Sequence, residues 1–414
     1  MTSEADTMVD WNVAVATATR LVRPGPDIGR DEARAVVAEL RRHAAASVEP
    51  VRSFTRLTLP EPEVDGGPVL VVDRPGWVRA NAAGFAAVLS PLTEKLRERR
   101  GAGPAAEALA GVGSKITGVE VGTLLAVLSS RVLGQFETFS PLGPSVPGRL
   151  LLVAPNIVQV ERDLEVDPHD FRLWVCLHEE THRTQFTAVP WLRDHLEGEI
   201  RAFLAETEMD PGTMFGRLRE AVQSGGGVQG RLRALRDRER PEPAEPDAGE
   251  EAPTLADLVQ TPVQREILQR LTAVMSLLEG HADYVMDGVG PDVVPSVREI
   301  REKFTRRRER GAGRLDQVLR RVLGLDAKLR QYQEGERFVR TVVERVGMEG
   351  FNRVWTSPNT LPTRAEIHTP QAWVDRVHSG GAWGAKSRPE SAPDAADRGP
   401  DPEGDQGREP GADH

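Results

Sequence analysis

The chain has 414 residues and a formal net charge of −10, with 63 acidic against 53 basic side chains. That length can hold a sizeable core and allows two or three domains, while the acidic balance argues against nucleic acid as a partner. The single cysteine, Cys176, excludes an internal disulfide framework. No apolar run approaches membrane-spanning length, and Glu4 and Asp6 stand where a signal peptide carries positive charge, so a cytoplasmic protein without a membrane partner is expected.

Alanine, leucine, arginine and glutamate dominate the periodic segments, which predicts a mainly α protein with a minor strand component, an α+β chain. Helical periodicity covers 33–49, 81–99 and 119–136, with a short strand at 69–72. These elements make 1–140 a mostly helical N-terminal region. Residues 150–160 form a mostly apolar run with valine and isoleucine, read as a strand interrupted by Pro155 and Asn156. Pro155 has no N–H to give a ladder, which favours an edge position.

Asp167, Pro168, His169 and Asp170 then carry the marks of a helix start, an acidic cap followed by proline in the first turn. Phe171, Trp174, Val175, Leu177, His178, Thr181, His182, Gln185 and Phe186 recur at spacings of three and four, which describes a buried stripe. Residues 178–182 within it read His-Glu-Glu-Thr-His. On a helix, His178 and His182 lie one turn apart on one face, so both imidazoles can meet a single zinc ion while Glu179 reaches the water beside it. Glu180 faces away. Cys176, two positions before His178, is read as a core thiol.

A further helix is predicted at 191–206, a glycine-rich loop at 225–230, and an acidic, proline-rich segment at 241–253 that cannot bury apolar area. We expect a disordered insertion over about 237–256. Beyond it, 262–286 is helical, with Ile267, Leu271, Val274 and Leu278 on its apolar face and Glu279 at the end of that face. A carboxylate there needs a counter-charge, and a zinc ion supplies one, which makes Glu279 the expected third ligand. Asp283, one turn on, is placed to accept the outer N–H of a liganding histidine. His281 is the rival third ligand. Helices at 297–308, 315–323 and 328–346 follow, and the basic run at 298–310 is diluted by Glu299, Glu302 and Glu309 into a solvated face. Residues 378–414 read as a disordered acidic tail.

The two half-sites resemble the gluzincins, in which a glutamate on a later helix completes two histidines and an aspartate four residues beyond supports the first. More closely, the chain is similar, over about 11–377, to a zincin-like metallopeptidase family common in actinobacteria and labelled as associated with deazaflavin coenzyme biosynthesis. The similarity rests on 128–135 (Leu-Ser-Ser-Arg-Val-Leu-Gly-Gln), the motif helix, 279–287, and 331–335 (Gln-Tyr-Gln-Glu-Gly) with Phe338. It implies a zincin-like fold with a small edge-strand sheet beside the zinc helix, and a catalytic region at 141–377. It also implies one zinc ion on His178, His182 and Glu279, with Glu179 as general base and Asp283 behind the ligands. The hundred residues between the half-sites exceed the spacing of compact members. No glycine-rich dinucleotide fingerprint follows a strand, and no deazaflavin chemistry is read from the label.

Such a site hydrolyses peptide bonds, and a small amide satisfies the same geometry. His281 and Tyr332 are the candidates for stabilising the transition-state oxyanion. A non-catalytic protein on the same scaffold is the other reading, and the intact Glu179 argues against it, because a structural zinc site has no use for a base.

Overall fold

The computed structural model describes residues 8–58, 67–99, 104–139, 148–206, 261–310 and 325–378, with the side chains of 91–99, 104–112, 308–310 and 325–333 left outside that description. The expected insertion at 237–256, the loop at 225–230, the helix at 315–323 and the tail from 379 onward therefore lie outside the described residues.

Three strands form one sheet: β1 (Val69–Val72), β2 (Gly134–Glu137) and β3 (Arg149–Val153), in the order β1-β3-β2. β1 runs parallel to β3 and β2 antiparallel to it. Around the sheet, α1 (Trp11–Leu21), α2 (Arg30–Ala46), α3 (Val48–Thr55), α4 (Arg74–Arg99) and α5 (Pro104–Ser129) come from the N-terminal part. After β3 come α6 (Ala154–Leu164), α7 (Pro168–Ala188) and α8 (Pro190–Ala205), then α9 (Pro262–Val289), α10 (Val297–Arg310), α11 (Leu325–Phe351), α12 (Arg364–His368) and α13 (Pro370–His378). No helix among the described residues is long and apolar enough to cross a membrane.

The segment 150–160 departs from its sequence reading. Leu150, Leu151, Leu152 and Val153 are fully buried in the central strand, as an unbroken apolar run on a two-sided sheet should be. The strand stops there and α6 begins, with Pro155 in its first turn, where the missing N–H costs nothing. Ile157, Val158, Val160 and Leu164 then face the core from a helix. Asn156 ties the junction down: its amide donates to the carbonyls of Ser129 and Val132 at 2.7 Å, and its oxygen accepts from Arg74 Nε at 2.6 Å. The helix read at 119–136 also ends early, at Ser129, and its last residues form β2 instead.

Residues on both sides of position 140 share this sheet and its cores. Leu40 and Val51 pack with Phe171, Trp174, Ile157 and Ile300 around α7. A second core joins α8 and α9 to α11, α12 and α13 through Leu192, Leu277, Phe338 and Trp373. A third lies between α1, α4, α5 and the sheet, through Ala18, Trp77, Leu125 and Leu151. Cations of the basic run at 298–310 pair within the protein: Arg301 with Asp287, Arg307 with Asp163 at 3.1 Å, and Lys303 Nζ on the Glu165 carbonyl at 2.9 Å.

Helices α9 and α11 touch backbone to backbone. A Cβ on Gly280 would lie 2.1 Å from the carbonyl carbon of Gly335, and one on Gly335 would lie 1.9 Å from the Ser276 carbonyl oxygen. Side chains cannot fit there, so the pair of glycines fixes how deeply α9 sits and, with it, the position of the adjacent Glu279.

Candidate metal centre

Helix α7 starts where its sequence says it should. Asp167 caps it by accepting from the Asp170 amide at 2.9 Å, and Pro168 occupies the first turn. The helix is buried along most of its length, which holds His178, Glu179 and His182 rigidly. Helix α9 is capped by a reciprocal pair, Gln264 N to Thr261 Oγ1 at 3.0 Å and Thr261 N to Gln264 Oε1 at 2.9 Å, and delivers Glu279 from the opposite side.

The half-sites converge. His178 Nε2 and His182 Nε2 are 3.2 Å apart, and Glu279 Oε2 lies 3.7 Å from the first and 3.8 Å from the second. A circle through three points with those separations has a radius of about 2.1 Å, the length of a zinc–nitrogen or zinc–oxygen bond. The three residues thus fit one zinc ion with room for a further ligand. All three side chains are partly exposed, at 21%, 14% and 21%, so the centre opens to solvent on one side.

Each histidine has its outer nitrogen occupied. His182 Nδ1 lies 3.0 Å from Gln185 Oε1, which can only accept, so the proton belongs on Nδ1 and Nε2 keeps its lone pair for metal. His178 Nδ1 faces Met286 Sδ at 3.0 Å. Gln185 is itself fully buried and donates through Nε2 to the Leu278 carbonyl at 3.0 Å and to His281 Nδ1 at 2.9 Å. Sequence reasoning placed Gln185 only on the buried stripe. A polar residue on that stripe, three positions after His182, is the available signal.

His281 lies behind the centre. It is fully buried, stacked on Phe351 with ring centroids 5.3 Å apart and tilted against Trp355 at 5.5 Å. Burial, and then the charge of His182, push its pKa down to about 3, so it is a neutral ring. It reaches His182 through Gln185 and is absent from the residues lining the cavity in front of the ligands. Asp283 stands one turn beyond Glu279; its carbonyl accepts from Arg301 Nη2 at 2.9 Å, and its Oδ1 is 3.9 Å from the same atom. Tyr332 falls on α11 at a position whose side chain is outside the described residues. Glu180 is buried and paired with Arg183 at 2.8 Å.

Glu179 is buried beside His178, His182 and Glu279. Burial first, and then the Glu279 carboxylate, raise its pKa well above the ordinary carboxylate range. Its side chain lies flat against β2, where a Cβ on Gly134 would come within 2.5 Å of its Cγ. Gly134 is therefore part of the site, on a strand where the periodicity of 119–136 predicts a helix.

In front of these residues is a cavity of about 380 Å³ lined by His178, Glu179, His182 and Glu279 on one side. Phe85, Val88, Phe139, Phe186, Leu196 and Ile200 give it apolar walls. β2 forms another wall through Gly134, Gln135, Phe136 and Glu137, and among the described residues it is the last strand of the sheet. Gln135 is held there by Trp77 Nε1 at 2.9 Å and by Asn81 Oδ1 at 3.0 Å.

This arrangement of donors agrees with a family match. A model of zincin-like metallopeptidases matches residues 9–374. The chain belongs to that family. Among solved structures, one from Chloroflexus aurantiacus, described as a candidate hydrolase with a novel fold, is 31% identical. It superposes with a TM-score of 0.61 over 90% of this chain and 100% of the other. No curated protein matches the chain. Membership in the zincin-like family and the convergent His/His/Glu set together support zinc-hydrolase chemistry at the level of the superfamily.

Proposed function

We propose that the protein is a zinc-dependent metallopeptidase, with His178, His182 and Glu279 as ligands and Glu179 as general base. The observation that carries this reading is the meeting of three donor atoms from helices about a hundred residues apart, with a buried carboxylate beside them at the head of a cavity. Zinc bound there supplies Lewis-acid polarisation of a carbonyl and lowers the pKa of water. Glu179, which lies beside the three donors, takes the proton from the attacking water and carries it to the leaving amine. Gly134 holds that carboxylate in place, and Gln185 holds the His182 tautomer. The outer nitrogens of the two histidines meet Met286 and Gln185, and Asp283, expected behind them, pairs with Arg301 one turn beyond Glu279. With His281 outside the cavity lining, Tyr332 is the candidate oxyanion donor in this scheme.

The position of β2 at the end of the sheet supports an extended peptide as substrate, paired along the strand with apolar side chains in the phenylalanine-walled cavity. We place the chain in the actinobacterial branch of the family that its sequence resembles, and in the cytoplasm, where a lone buried cysteine persists. A second reading, a small-amide hydrolase, is favoured by the cavity volume, which is of the size that encloses a small ligand.

Digestion of an unbiased peptide library under zinc-replete conditions, comparing the natural protein with Glu179→Gln, tests the proposal. Cleavage by the first and at least a hundredfold less by the second is expected. No difference across the library overturns the peptidase reading and moves the assignment to small amides or to a non-catalytic scaffold.

A further inference from the structure

A second group of metal-capable side chains lies where α2 meets the start of α7. Glu39 and His43 stand one turn apart on α2, and His169 is the second residue of α7. His169 Nδ1 is 2.9 Å from Glu39 Oε1, and His43 Nε2 is 3.4 Å from the same oxygen. The two imidazole rings meet edge to face with centroids 4.5 Å apart. One donor atom from each of the three residues falls within 4.8 Å of the others, as in the site built on His178.

Two independent features separate this group from an ordinary surface ion pair. His43 is only 7% exposed, and its Nε2 is shielded from solvent without a hydrogen bond among the described residues, although it points at Glu39. A buried donor or acceptor left this way costs free energy that a bound cation would recover. The Glu39 carboxylate is also held in position. Arg172 bonds to Glu39 through Nη1, and to Glu161 through Nε at 2.9 Å and Nη2 at 2.5 Å. One guanidinium is thus shared between the Glu39 and Glu161 carboxylates. Arg172 also fixes the second oxygen of Glu39, so that Oε1 is the one presented to the histidines.

We propose that Glu39, His43 and His169 form a second site for a divalent transition metal, which ties α2 to the first turn of the helix carrying the catalytic motif. Two imidazoles and one carboxylate suit zinc, with the remaining positions left to water. His169 is 65% exposed and can open the short contact to Glu39 to admit the ion. Nine residues of helix separate His169 from His178, about 13 Å along the axis, so the two sites bind independently. The role of this metal is to clamp the two helices, and its exposure makes it the more readily exchanged of the two ions.

The test titrates zinc into metal-free full-length protein and counts bound equivalents after desalting. One equivalent should be lost on His169→Ala and retained in the double variant His178→Ala/His182→Ala. In that double variant zinc should also raise the melting temperature, and the rise should vanish when His169→Ala is added. His169 is exposed enough for its replacement to leave the fold intact. If every bound equivalent survives His169→Ala, or if the double variant binds no zinc, the second site does not exist. Failure of the catalytic-site reading looks different: the natural protein would then bind a single equivalent that depends on His169 and not on His178.

Discussion

Gly134 on β2 and Glu179 on α7 are in contact so close that a single methyl group cannot be added between them: a Cβ on Gly134 would lie 2.5 Å from Glu179 Cγ and 2.6 Å from its Cδ. Strand and helix are thus set by the absence of a side chain, and the Glu179 carboxylate is held by backbone. Gly134→Ala should push the carboxylate off its position while leaving His178, His182 and Glu279 free to bind zinc. We expect unchanged zinc stoichiometry, a loss of stability of about 1–3 kcal/mol from overpacking, and a fall in hydrolysis of about a hundredfold. Unaltered activity would show that Glu179 is not positioned by this contact.

The chain from His182 through Gln185 to His281 makes a second prediction. Gln185→Leu keeps the volume and removes both the acceptor for His182 Nδ1 and the donor to Leu278 and His281. Zinc affinity measured by chelator competition should fall 10- to 100-fold, the usual effect of losing a partner behind a metal ligand. Stability should drop by about 1–3 kcal/mol, because the Leu278 carbonyl and His281 are left unpaired in the core. An affinity within twofold of the natural protein would exclude Gln185 from the site.

The parts of this centre that the sequence discloses are those set by local spacing. His178 and His182 share a face because of helical periodicity, and the cap at Asp167 marks where that helix begins. Glu279 could be read because an acidic residue ends an otherwise apolar face. The roles of Gln185 and Gly134 depend on partners 96 residues away in one case and on another element's backbone in the other, and no local pattern encodes either. His281 shows the same limit: spacing shows that it points away from Glu279, but only the packing shows Phe351 and Trp355 around it. At 150–160, β-branched residues and an apolar run mimic a strand, while the helical start at Pro155 requires Asn156 to find Ser129, Val132 and Arg74. β2 was hidden because the apolar periodicity of α5 runs on past its end at Ser129.

The crossing of α9 and α11 predicts opposite outcomes for two glycine-to-alanine changes on helices. Gly280→Ala forces a methyl into the Gly335 backbone at 2.1 Å, which neither helix can relieve by rotating a side chain. Destabilisation of about 3 kcal/mol or more is expected, together with weaker zinc binding as Glu279 shifts. Gly198→Ala on α8 meets nothing within 4 Å and should stabilise by about 0.5–1 kcal/mol, the helix-propensity difference between the two residues. Urea unfolding of the two variants checks both signs. Equal effects would mean that the close crossing is not a determinant of stability.

Glu366 links the C-terminal helices to pH. Its Oε2 accepts from the Thr363 amide at 2.8 Å and hydroxyl at 3.0 Å, and Arg376 donates to both of its oxygens, at 2.6 and 3.0 Å. Burial pushes its pKa up, but the Arg376 bonds and the Thr363 amide outweigh burial and hold it below the ordinary value of 4.5. A carboxyl whose folded pKa is depressed adds stability that is fully present above its unfolded pKa and is lost as pH falls through the folded value. Glu366→Gln should therefore cost about 2 kcal/mol at pH 7, the scale of hydrogen bonds to a charged group. The gap between the two proteins should begin to narrow as pH falls below 4.5 and close further down the acid limb. Urea midpoints taken from pH 7 to about pH 3 follow that gap, with 4.5 as the reference carboxylate pKa. A difference that stays constant over the whole range would show that the stability of this corner comes from packing around Trp373, independent of the ionised Glu366–Arg376 pair.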